Sequence, residues 1–173
     1  MGKGLPRSMS RGAAQAQEII KQTVVIRNQT VPVTSVTTAA GFGTVVVGDF
    51  PEGNILFLGA LAYISLAGSG ADANLIDTWN GDFSVGTNPT ADVSLTGNEV
   101  DIIPSTATTV AVAEVSPRTR AANATQAIFD NTDGSLEVNL NVLIDAADIG
   151  DSQTVNLTAN GEITLVYVIL GDD

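Results

Sequence analysis

The side chains that most often carry enzymatic chemistry are missing from this chain: its 173 residues include no cysteine and no histidine. Disulfides, Cys/His zinc sites, Ser-His-Asp triads and Cys-His dyads are thereby excluded. What remains is carboxylate chemistry. Asp130-Asn131-Thr132-Asp133-Gly134 spaces its oxygens as the start of a calcium loop does, yet the twelfth position from Asp130 is Asn141 rather than Glu and no helical pattern flanks it. Asp145, Asp148 and Asp151 form a second acidic group in a Gly-containing loop. Turn formation accounts for both groups, with bound calcium the lesser reading. Paired carboxylates can hydrolyse glycosides without His or Cys. No carboxylate outside a turn pairs obviously with another, so neither an enzyme nor a cofactor is expected. Trp79 is the sole tryptophan and a candidate platform for a sugar ring, but one Trp and two Tyr make a poor carbohydrate site, and packing is the better reading.

Charge is distributed unevenly. Residues 1–27 carry Lys3, Arg7, Arg11, Lys21 and Arg27 against Glu18, a net +4, whereas the other 146 residues carry Arg118 and Arg120 against 18 acids, a net −16. A basic arm leads an acidic body. Such a body repels nucleic acid, whose binding depends on cations that neutralise phosphates, and resists random self-association at high copy number. After Lys3 there is no apolar core of a secretory signal, so a protein made and used without Sec export is expected. The sequons at Asn28, Asn123 and Asn156 are then without meaning.

The arm spans residues 1–22. Residues 1–12 have little to fold around, while Ala13 to Gln22 has helical propensity, with Ser10 as a possible N-cap and Ile19 and Ile20 as a narrow apolar face. The arm reads either as a docking segment that orders on a partner or as a frayed end lying along its own domain. Lys3, Arg7, Arg11, Ile19, Ile20 and Lys21 are its candidate contact residues. Arg118 and Arg120 join them, as cations that pair with acids of a neighbouring subunit or simply stand in solvent.

Residues 23–173 read as one β-rich domain. Its centre is Ile55 to Ala67, ILFLGALAYISLA, the most apolar run in the chain. A membrane span needs roughly 17 to 25 apolar residues, so this run is too short. A buried helix is harder to set aside, because short apolar runs are ambiguous by periodicity. Gly-rich punctuation and Val- and Thr-rich neighbours favour a strand, and since both alternating sets are apolar, one buried on both faces. Further strands are expected at Thr23–Arg27, Val31–Thr38, Thr44–Val47, Asp82–Val85, Val93–Leu95, Glu99–Ile103, Thr109–Val115, Ala127–Phe129, Leu136–Ile144, Thr154–Thr158 and Glu162–Leu170. Gly41-Phe42-Gly43 reads as a break, Pro104 as a strand end and Pro117–Thr125 as a loop. Asn160-Gly161 between β-type runs predicts a type I′ hairpin. The architecture expected is all-β: an antiparallel β-sandwich, best suited to an eight-stranded jelly roll, with an immunoglobulin-like sandwich as the alternative.

The stretches DFPEGNILFLGA from Asp49, DIIPSTAT from Asp101, SPRTRAANATQAIFDNTDGSLEVNLNVLID from Ser116 and ITLVYVILGDD from Ile163 resemble small structural proteins of tailed bacteriophages, the capsid decoration (cement) or minor head proteins. The resemblance covers roughly Gly41 to Asp173, leaves out the basic arm and transfers no site residues. It implies a virion protein on the capsid surface, made in the host cytoplasm. Its expected partners are the major capsid protein and its own copies, most plausibly as a homotrimer at three-fold positions, with neither nucleic acid nor membrane as a partner. A head fibre, a major shell protein and a carbohydrate-binding module are the alternatives.

Overall fold

The computed structural model describes residues 18–68, 73–109 and 115–171. These residues form an all-β, antiparallel fold with nine strands: β1 (Ile20–Ser35), β2 (Gly41–Asp49), β3 (Asn54–Ala67), β4 (Asn80–Gly86), β5 (Ile103–Thr109), β6 (Thr119–Asn123), β7 (Ala127–Phe129), β8 (Glu137–Ile144) and β9 (Thr154–Gly171). The hydrogen-bonded order is β5-β4-β8-β2-β1-β9-β3-β6, with β7 beside β6 along β3. β1 and β2 share only the pairs Thr34↔Phe42 and Ser35↔Gly41, so the sheet turns a corner there. At the other extreme Asn123 Nδ2 of β6 donates to the Asp101 carbonyl just before β5, 3.1 Å away, and brings the two edges of the sheet together. The result is a nearly closed sheet, sandwich- or barrel-like; its strand order does not establish jelly-roll winding. The core between its walls includes Phe57 and Ile64 of β3, Phe83 of β4, Leu140 of β8 and Leu157 and Ile163 of β9, with Trp79 fully buried among them.

Ile55 to Ala67 is a strand, as its flanking glycines and β-type neighbours suggest. It is not buried on both faces, however: Phe57, Ala62, Ile64 and Leu66 face the core, while Leu56, Leu58, Leu61 and Tyr63 stay partly open to solvent. The register shifts between Phe57 and Gly59, and that bulge exchanges the inward set from odd to even positions.

Asn160-Gly161 does not form a hairpin. β9 runs through it, flanked on both sides: Gly161 is opposite Ile26 of β1 and Ile64 of β3. β1 inserts Arg27 and Asn28 opposite Asn160, and the Asn28 amide, in a residue with φ 48°, donates to Asn160 Oδ1 at 2.8 Å. The dipeptide that would turn an isolated chain back on itself here stays within a central strand, because two long neighbours supply more hydrogen bonds than a two-residue turn.

Other expectations are corrected by tertiary packing. Thr23–Arg27 and Val31–Thr38 are largely one strand, interrupted by the Asn28 bulge. Gly41-Phe42-Gly43 begins β2 rather than breaking the chain. A Cβ on Gly43 would lie 2.1 Å from the Pro32 carbonyl oxygen, so the glycine is there for close backbone approach. Pro104 lies inside β5, an edge strand, where a missing donor is tolerated. Val93–Leu95 is irregular, and a 3-10 turn at Gly97–Glu99 follows it. Thr119–Asn123, within the expected loop, is β6. The expected strand Thr109–Val115 lies largely outside the described residues.

Candidate functional site

Lys3, Arg7 and Arg11 lie outside the described residues. Ile19 and Ile20 do not share an apolar face. Ile20 starts β1, paired with Tyr167 of β9, so consecutive side chains point to opposite sides of the sheet. Ile19 is 63% exposed, Ile20 packs against the core, and Lys21 stands outward opposite Val166. Of the helix expected from Ala13 to Gln22, residues 13–17 lie outside the described residues, and Ile20 to Gln22 are strand rather than helix. Arg118 and Arg120 converge on one spot. Arg120 is registered with Tyr63, and Arg118 lies 5.1 Å from the centre of the Tyr63 ring and 3.1 Å from Glu162. The acid that pairs with Arg118 belongs to its own chain.

These residues sit on the outward face of the wall built by β1, β9, β3, β6 and β7. Strand register lays the outward side chains in rows: Lys21, Thr23 and Val25 on β1; Val166, Thr164 and Glu162 on β9; Leu56, Leu58, Leu61 and Tyr63 on β3. Ile128 of β7, registered with Leu56, extends the surface and is 69% exposed. One end of this face is apolar and the other carries the Tyr63–Arg118–Glu162 group. The signal for it was in the sequence, in the two apolar alternating sets of Ile55–Ala67.

A groove of about 390 Å³ lies where the sheet nearly closes, lined by Ala127, Ile128, Phe129, Asp130 and Leu136 on one side and Thr87, Asn98 and Asp101 on the other. The second wall comes from residues 87–101, which cross outside β8. Two asparagines pin them. Asn141 Nδ2 donates to the carbonyls of Asn88 (3.0 Å) and Glu99 (3.1 Å), and its Oδ1 accepts from the Thr90 amide at 2.8 Å. Asn139 donates more weakly to the Thr87 carbonyl. Both asparagines are fully buried, although alternation alone places them on a polar face. The first wall is fixed by Asn131, which donates to the carbonyls of Phe50 and Pro51 and accepts from the Leu136 amide. Asp101 accepts from the Thr87 amide at 2.9 Å and from its hydroxyl at 2.7 Å. Burial nevertheless pushes the Asp101 carboxyl above its ordinary 3.8, outweighing those hydrogen bonds.

The acidic groups considered for calcium act in turns. Oδ1 of Asp130 accepts from the amide and hydroxyl of Thr132, and Oδ1 of Asp133 does the same for Ser135. Asp148 accepts from the amide of Asn80 at 2.6 Å, and Asp151 from that of Thr38 at 3.0 Å. Among the described residues no three acidic side chains converge as a metal site would require. None of the helices there is long and apolar enough to cross a membrane. No known family model matches this chain, and a comparison with curated proteins finds no match.

Proposed function

We propose that this chain is a virion structural protein that binds the outside of a phage capsid and stabilises it by bridging capsomers, as a homotrimer. The observation that carries this reading is the outward face of β3, β7 and β9, where Leu56, Leu58, Val166 and Ile128 form an apolar surface on a strongly acidic body. Contiguous exposed apolar surface marks contact with another macromolecule, and burying it contributes about 25 cal/mol per Å². Repetition of that contact by symmetry converts modest affinity into firm attachment. The phage assignment itself rests on the resemblance of the segments from Gly41 to Asp173. The sugar-binding alternative loses its one platform, because Trp79 is fully buried.

The test is addition of purified protein to shells that lack it, followed by reconstruction of the particles. The expected result is density at three-fold positions with the outward face of β3 against the shell, and loss of occupancy with Leu56→Asp or Ile128→Asp. Absence of the wild-type protein from the shells under saturating conditions would sink the reading.

A further inference from the structure

We infer that the outward face of the wall built by β1, β9, β3 and β6 docks an acidic protein surface, one of whose carboxylates is received between Arg27 and Arg118. This rests on the reading of that face as the contact with the shell, and adds the chemistry of what it meets.

The protein is acidic as a whole, with a formal charge of −12, but its charges are sorted. The described residues hold four cations, Lys21, Arg27, Arg118 and Arg120, and all four stand on this wall. Strand register sets the outward side chains in rows. Lys21 lies beside Val166, and the next row is Thr23, Thr164, Leu61 and Ala122. Val25, Glu162, Tyr63 and Arg120 follow, and then Asn160 and Ser65. Glu162 is the single acid of these rows, so four cations and one acid give the face a net +3.

The end of the face near Asn160 is equipped for a carboxylate. Arg27 and Arg118 help line a depression of about 290 Å³ together with Val25, Ser65 and Asn160. Arg118 shares its charge with Glu162 at 3.1 Å, which is the only ion pair among the described residues, so Arg27 has none there. Asn160 Oδ1 accepts from the Asn28 amide at 2.8 Å, and the Ser65 hydroxyl donates to the Asn160 carbonyl at 3.3 Å. The side-chain amide of Asn160 keeps its two N–H donors for an incoming group. An oxyanion entering here gains charge-assisted hydrogen bonds with Glu162 as its one competitor.

The rest of the face asks for apolar side chains. Six residues of β9 separate Asn160 from Val166, about 20 Å, and Val25, Leu61 and Ala122 lie in that interval between the arginines and Lys21. Charge then decides among occupants. Two copies meeting through this same face would set four cations against four, with one acid on each. A nucleic acid would meet the cations but leave the apolar rows uncovered, and the acidic body repels it. A protein surface that carries carboxylates around an apolar centre satisfies both parts of the face.

Two measurements test this. In the first, the free protein is titrated with N-octanoyl-glutamate, which joins two carboxylates to an apolar chain, below its micelle-forming concentration. Amide shifts are expected at Arg27, Ser65, Arg118 and Asn160 and along the row of Leu61 and Thr164. Affinity is expected to fall about tenfold when Arg27→Gln and Arg118→Gln are combined and to be unchanged in Asp145→Asn, an acid outside the face. Shifts elsewhere, or equal affinity for the doubly substituted protein, overturn the inference. Tighter binding of octyl phosphate overturns it in favour of a phosphate ligand, and movement of the same amides on diluting the protein alone does so in favour of a second copy. In the second measurement, shell carboxylates are amidated with carbodiimide and glycinamide. Amidated shells are expected to lose the protein and lysine-acetylated shells to keep it; undiminished binding to amidated shells overturns the inference. Failure to bind untreated shells would instead remove the capsid reading, and the titration of the free protein then decides the docking chemistry by itself.

Discussion

Gly161 of β9 lies so close to Tyr63 of β3 that a Cβ built on it would stand 1.9 Å from the Tyr63 carbonyl oxygen. Its φ of 151° is also one that other residues rarely adopt. Gly161→Ala is therefore expected to cost about 3 kcal/mol or more, in the range reserved for strain in a packed region. Gly97→Ala is the control, since at φ 59° it meets nothing within 4 Å. It should cost only about 1 to 2 kcal/mol, the ordinary penalty of a left-handed residue. Urea midpoints of the two variants check the contrast, and equal costs would contradict it.

The same position shows what the sequence could and could not convey. The strand character of Ile55–Ala67 and of Leu136–Ile144 was legible because alternation and flanking turns are local. The Asn160-Gly161 dipeptide misled because its local preference for a turn is overridden by β1 and β3, neighbours more than 90 residues away in sequence. Asn139 and Asn141 alternate with apolar residues and look solvent-facing. They are buried because residues 87–101 cross over them, which no pattern within β8 announces. Of the candidate contact residues, Arg118 and Arg120 meet at Tyr63 through strand register. The apolar face beside them was visible as sequence but was read as a second buried side.

Removing the side chain of Asn141 should loosen one segment rather than the whole fold. Its three hydrogen bonds hold Asn88, Thr90 and Glu99 to β8, and each buried backbone group left unpaired costs about 1 to 3 kcal/mol. Asn141→Ala is expected to lower hydrogen-exchange protection throughout residues 87–101 while β1, β3 and β9 keep theirs. Uniform loss of protection across all strands would show that the segment does not open separately.

Asp101 makes the stability of the protein depend on pH in a definite sense. Its carboxyl is raised above 3.8 by burial, so between that value and the raised one the folded state holds more protons than the unfolded state. Stability contributed by this group therefore falls as pH rises through the window. Asp92 and Asp133 work the other way, since hydrogen bonds from Ser94 and Ser135 lower them and their contribution is lost as pH falls. Comparing wild type with Asp101→Asn cancels those two. Urea midpoints measured from pH 3 upward are expected to show wild type losing ground to the variant as Asp101 ionises; a constant difference would mean that Asp101 titrates at its ordinary value.

The Arg118–Glu162 pair is expected to contribute little to the fold of the isolated chain. Both side chains are about half exposed, at 56% and 45%, and exposed ion pairs give under about 1 kcal/mol in double-mutant cycles. Stacking on Tyr63 adds an attraction that salt screens less than the ion pair, because it also involves close contact with the ring. A cycle over Arg118→Ala and Glu162→Ala should thus give a coupling below about 1 kcal/mol that shrinks in 1 M salt. Arg118→Lys should retain part of the ion pair and weaken the cation–π contact with the Tyr63 ring. If this cluster is a contact point on the outward face, Arg118→Ala should leave the urea midpoint nearly unchanged and lower shell occupancy. A variant that binds shells as well as wild type would remove Arg118 from the interface and leave the apolar end of the face to carry it.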